Sequence, residues 1–183
     1  GDLIEESVRR AIAHSEDRAA CERDREACYG GDPEDRDARF AALFDRWFVR
    51  LGVAAPLHRA LTERPRIAES VAVLRVETAL RRGDQGIELF VAPREPDVSE
   101  VEGRWLVARM LASTLVDPDA ATAMLRPELL HVDDMLDPAF EYEPELPPSP
   151  AGPTHDRLLL ERYSALWSAS VAYRLDGEGR GSP

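Results

Sequence analysis

The chain has 183 residues, 44% of them apolar, with 23 basic residues against 35 acidic ones and a formal net charge of −12. That length allows one domain, or one domain with appendages, and the apolar share is enough for a core. The acidic balance argues against nucleic-acid binding, which usually needs a basic face, and against docking on an anionic membrane. Every Lys/Arg position is Arg, and the chain has no Lys and no Asn, the mark of a GC-rich bacterial genome rather than of a function. No apolar run reaches the length of a membrane span. Gly1–Ala13 carries acids and no apolar core, which predicts no signal peptide. Two cysteines do not make a secreted disulfide scaffold. The expected compartment is the cytoplasm.

Asp2–Cys28 reads as one N-terminal helix within residues 1–30. It is amphipathic through Ile4, Val8, Ala11 and Ile12, then mostly charged. His14, Cys21 and Cys28 are spaced by seven and share a stripe. Seven residues rise about 10.5 Å, so neighbours on that stripe cannot share one metal ion or a disulfide. A packing stripe is the expected role. Tyr29–Pro33 is a turn. Asp35–Leu51 is the clearest helix, with Phe40, Leu43, Phe44, Trp47, Phe48 and Leu51 at i, i+3, i+4 spacing, and Gly52 is placed to stop it. The aromatic stripe is expected to be core. A short helix is predicted over Pro56–Thr62, with His58 on its surface. A second helix follows Pro65, with Ile67, Val71, Leu74 and Thr78 inward, and ends at Gly83.

Ile87–Ala92 is a short apolar run between Gly86 and Pro93, hence a strand. Pro93–Gly103 is an acidic loop. Arg104–Val116 fits a strand over its first half, leading into a helix that starts at Asp117-Pro118 and stops at Asp137-Pro138. Pro144–Pro153 is a stiff proline-rich linker. Thr154 is placed to cap a last helix over residues 154–175, with Leu159, Tyr163, Leu166, Trp167 and Ser170 on its inner face. Residues 176–183 are expected to be a disordered tail.

The chemistry-bearing stretch is Leu125-Arg126-Pro127-Glu128-Leu129-Leu130-His131-Val132, followed by Asp134-Met135-Leu136-Asp137-Pro138. At about 100° per residue, Pro127, His131 and Asp134 share one helix face. Glu128 borders that face, and Asp133 points away into solvent. Pro127 lacks an amide hydrogen and crowds the Ala123 carbonyl, which predicts a split into a turn over Asp119–Leu125 and a helix over Glu128–Leu136.

This stretch resembles the active-site helix of the zincin-like metallopeptidases, where His-Glu-x-x-His binds Zn²⁺ through both histidines and the Glu activates the bound water. The resemblance covers roughly twenty residues. It implies an α+β, predominantly helical, zincin-like fold with a small sheet before the motif helix. It places Glu128 at the general-base position and His131 at the second zinc ligand. Pro127 stands where the first ligand belongs and cannot coordinate. The third ligand of such a site lies downstream, and Asp134, His155 and Glu161 are the candidates.

The expected protein is therefore a degenerate zincin-like homologue, inactive or weakly zinc-binding, that acts through a protein partner and not through nucleic acid or a membrane. Two alternatives stay open. One is an acidic helical interaction module with no metal ancestry. The other is an active zinc peptidase in which a different residue replaces the lost ligand.

Overall fold

A computed structural model describes residues 3–30, 32–92, 103–144 and 148–180, and the side chains of 179–180 are left aside. The architecture is α+β and mostly helical, with one three-stranded sheet. Helices α1 (Leu3–Ile12), α2 (Arg18–Ala27), α3 (Arg36–Arg50), α4 (Ala55–Thr62) and α5 (Pro65–Ser70) come first. Strands β1 (Val73–Thr78), β2 (Gly86–Val91) and β3 (Arg104–Met110) follow. Helices α6 (Ala112–Leu115), α7 (Pro118–Leu136) and α8 (Pro153–Arg180) complete the chain.

The N-terminal segment is two helices rather than one. The chain turns over residues 13–17, and the exposed His14 lies in that turn, apart from the buried Cys21 and Cys28. Both thiols are free. They join Val8, Leu43, Phe44 and Trp47 in one hydrophobic cluster. The Trp47 indole N–H donates to Asp24 at 3.1 Å, and Arg46 pairs with the same carboxylate at 2.8 Å, tying α2 to α3. Helix α3 ends as its sequence predicts. Gly52 adopts φ +64°, the left-handed conformation that suits a helix-terminating glycine.

Behind Pro65 the helix is short, and the expected run to Gly83 is replaced by β1. The i, i+4 spacing of Ile67, Val71, Leu74 and Thr78 fits a helix. The same residues also contain VLRVET, rich in β-branched side chains. Long-range pairing decides between them. β1 lies parallel to β3, with Val73 opposite Trp105 and Thr78 opposite Met110. β2 lies antiparallel to β3, so the order is β1-β3-β2 with β3 central. Leu106, Ala108 and Met110 on β3 are buried against Ile67, Leu115, Leu125, Leu129 and Val132, which form the main core. Phe48 and Leu51 pack on both clusters and join them. The acidic stretch 93–102 lies outside the described residues.

Helix α7 is continuous through Pro127, against the expected split. A proline inside a helix costs about 3 kcal/mol. Leu125 on one side of it and Leu129 and Leu130 on the other are all buried. At about 1.5–3 kcal/mol per buried leucine, keeping both halves on the core outweighs the lost hydrogen bond. Ala123, whose carbonyl loses its partner, is on the exposed side. Asp117 caps the start by accepting from the amides of Asp119 and Ala120, both at 3.0 Å.

Helix α8 begins at Pro153, ahead of Thr154, after Gly152 at φ +89°. It also runs five residues past the expected end at 175, so Asp176–Arg180 is helix rather than tail, and 181–183 lie outside the described residues.

Candidate functional site

Helices α7 and α8 flank an open groove of about 620 Å³, with Pro127, Glu128 and His131 on its α7 wall and Ser168, Val171 and Leu175 on its α8 wall. The motif residues are brought together here, but each has a structural partner.

Glu128 accepts a hydrogen bond from the Ile87 amide at 3.2 Å. Strand β2 is an outer strand of the sheet, and this contact ties α7 to it. Gly86 beside it leaves room: a Cβ there would stand 3.5 Å from the Glu128 carboxylate. Glu128 thus caps a strand edge.

His131 is half-buried, and its ring meets the Trp167 indole edge-to-face at 4.6 Å. Its Nδ1 is buried with no hydrogen-bond partner among the described residues. Burial pushes the imidazole pKa below its ordinary value. The nearby Glu128 and Asp134 carboxylates oppose that shift, and Arg174 adds to it. Burial thus favours the neutral ring.

Asp134 is 5% exposed and fully engaged. Arg174 grips both carboxylate oxygens, at 2.7 and 2.5 Å, and the Trp167 indole N–H donates at 2.7 Å. Burial alone would raise the carboxyl pKa. The hydrogen bonds from Arg174 and Trp167 outweigh it, so the pKa is lowered. The same pairing raises the Arg174 pKa.

The downstream candidates lie elsewhere. Glu161 is exposed and faces Arg157 one turn away at 3.7 Å. His155 is exposed, with its Nδ1 2.7 Å from the Ser149 hydroxyl. Among the described residues no three His, Cys, Asp or Glu side chains are grouped to hold a metal. A catalytic zinc needs three protein ligands and an open position. The donor set here does not fit one: Pro127 offers nothing, and the Asp134 oxygens are saturated by a guanidinium. Asp133, expected in solvent, pairs with Arg66 at 3.4 Å, while its backbone carbonyl accepts from the same guanidinium at 3.2 Å.

Sequence reasoning placed Trp167 on the inner face of the last helix but did not find that it is the centre of this site. Phe140, Tyr142, Tyr163 and His131 all place rings within 6 Å of it. Glu141 takes the left-handed conformation at φ 52°, which turns the chain between Phe140 and Tyr142 as both reach the indole. The inner stripe of α8 is Trp167, Val171 and Arg174, continued by Glu178, which meets Arg64 at 2.8 Å. Leu159, Tyr163, Leu166 and Ser170, expected inward, are exposed, as are Leu158, Leu160 and Tyr173. The i, i+4, i+7 spacing of Trp167, Val171 and Arg174 was the available signal, together with an acid at 134 for the arginine to meet.

No protein-family model matches this chain, and no curated protein or solved structure does so. Among the described residues, no helix is long and apolar enough to cross a membrane.

Proposed function

We propose that this chain is a non-catalytic interaction domain built around a degenerate zincin-like helix. In this reading α7 persists as scaffold and not as an active-site helix. The observation that carries it is the saturation of Asp134. The only acid sharing the His131 face is spent on docking α8, while Glu128 is spent on the β2 edge. The exposed leucines and tyrosines along α8 support contact with another protein. The three-stranded sheet tells against the all-helical module, whose first helices would pack with no sheet.

The test is metal analysis of protein purified without a metal-affinity column, combined with a peptidase assay on unstructured substrates. The expected result is no stoichiometric zinc, no cleavage, and an unchanged zero rate on Glu128→Gln. Bound zinc lost on His131→Ala, or cleavage lost on Glu128→Gln, overturns the proposal in favour of a peptidase with a substituted ligand. Pro127→His separates ancestry from present function. A gain of zinc affinity in that variant supports the zincin origin, and no gain counts against it.

A further inference from the structure

The two outer strands of the sheet are finished differently. On β2 the Ile87 amide is covered by Glu128. β1 is paired on one side only, with β3, and among the described residues no strand lies on its other side. It is six residues long, contains no proline, and is open to solvent over nearly its whole length. Val73 is 47% exposed, Val76 38%, and Leu80 just beyond it 90%. An edge uncovered among the described residues is a template for another strand unless charge or a bulge blocks it.

The charges on this edge do not block it. They select one partner and one register. We propose that β1 pairs antiparallel with β1 of a second copy, about a two-fold axis at Val76, joining the two sheets into one. Arg75 and Glu77 lie on the same face as Val107 and Arg109, their register partners on β3. With Val76 on the axis, Arg75 stands opposite Glu77 of the partner subunit, and Glu77 opposite Arg75 of the partner subunit. Two-fold pairing of one strand with itself slips in steps of two residues, because the pleat must keep its faces. A slip one way sets Arg75 against itself, and the other way sets Glu77 against itself. The attractive register is therefore bracketed by two repulsive ones. Arg75 has no ion-pair partner among the described residues, and Glu77 has only a long contact to Arg109 at 3.5 Å, so both are available.

Sedimentation equilibrium of the full chain from micromolar to millimolar concentration tests this. The wild type is expected to dimerise with concentration. Arg75→Glu and Glu77→Arg each convert both cross-strand pairs from attraction to repulsion, and each is expected to weaken the dimer about tenfold or more. Mixing the two folded single variants restores association, since one strand then carries two acids and the other two bases. The double swap Arg75→Glu/Glu77→Arg also self-associates. A wild type that stays monomeric throughout overturns the proposal. So does a dimer indifferent to both swaps, which would place the contact elsewhere, such as on the exposed leucines of α8. So does a mixture of folded variants, checked by circular dichroism, that fails to associate.

Discussion

Replacing Asp134 with Asn removes the charge at the α7–α8 clasp while keeping its shape. The amide oxygen can still accept from the Trp167 indole, but Arg174 loses its bidentate anion. Breaking a buried ion pair by removing one partner costs about 3–5 kcal/mol, because the other charge is left uncompensated. Asp134 is buried but the Arg174 side chain is 37% exposed, so water recovers part of that loss. About 2–3 kcal/mol is the expected cost, a fall in Tm of about 4–12 °C for a chain of this size. The loss should be concentrated in α8, whose docking also relies on Val171 and the Glu178–Arg64 pair. The assay is thermal unfolding followed by circular dichroism, paired with hydrogen exchange on α8 amides. Replacing Asp134 and Arg174 together by Leu and Met should cost less than Asp134→Asn alone, because neither charge is left behind. Asp134→Asn with unchanged Tm and unchanged α8 exchange would refute the clasp as the element that holds the C-terminal helix.

The pH dependence follows from the same contacts. His131 and Asp134 both have lowered pKa values in the folded chain, so the unfolded chain binds protons first as pH falls. Each contribution is present above the unfolded pKa and lost as pH drops through the folded one. Stability should fall in a first step below about pH 6.5 from His131 and a second below about pH 4 from Asp134, and His131→Phe should abolish the first step in denaturant titrations. Pro127→Ala restores a donor for the Ala123 carbonyl and should stabilise the protein by up to about 3 kcal/mol in urea melts; a destabilised variant would mean that the pyrrolidine ring itself packs in the groove. Gly52→Ala meets no atom within 4 Å, yet φ is +64°, so backbone strain alone should cost about 1 kcal/mol. Glu128→Ala should cost about 1 kcal/mol through the orphaned Ile87 amide, whereas Glu128→Gln, which keeps an acceptor, should be close to neutral by thermal melt.

Local chemistry in the sequence was enough to place the aromatic helix α3 and its glycine stop, the strands β2 and β3, and the capped start of α7. In each case the determining signal lies within a few residues: a 3.6-residue apolar period, a short apolar run between breakers, or an Asp-Pro cap. The break between α1 and α2 carries only a weak signal, since His14–Asp17 contains neither Gly nor Pro and its mark is Ser15, whose hydroxyl accepts from the Asp17 amide at 3.1 Å. β1 was hidden for a different reason. Its residues satisfy a helical period and a strand composition equally, and only the need of β3 for a partner on its second edge decides between them. Pro127 shows the same priority in reverse, since a local breaker yields to leucines buried on both sides of it.

The motif residues illustrate the limit most directly. Helical spacing alone put His131 and Asp134 on one face with Glu128 at its border. It could not say what that face meets. Tertiary packing brought Trp167 and Arg174, more than thirty residues later in the chain, onto Asp134, and brought the amide of Ile87 onto Glu128. A carboxylate's chemistry depends on which donors fill its lone pairs, and those donors come from parts of the chain that the motif does not contain.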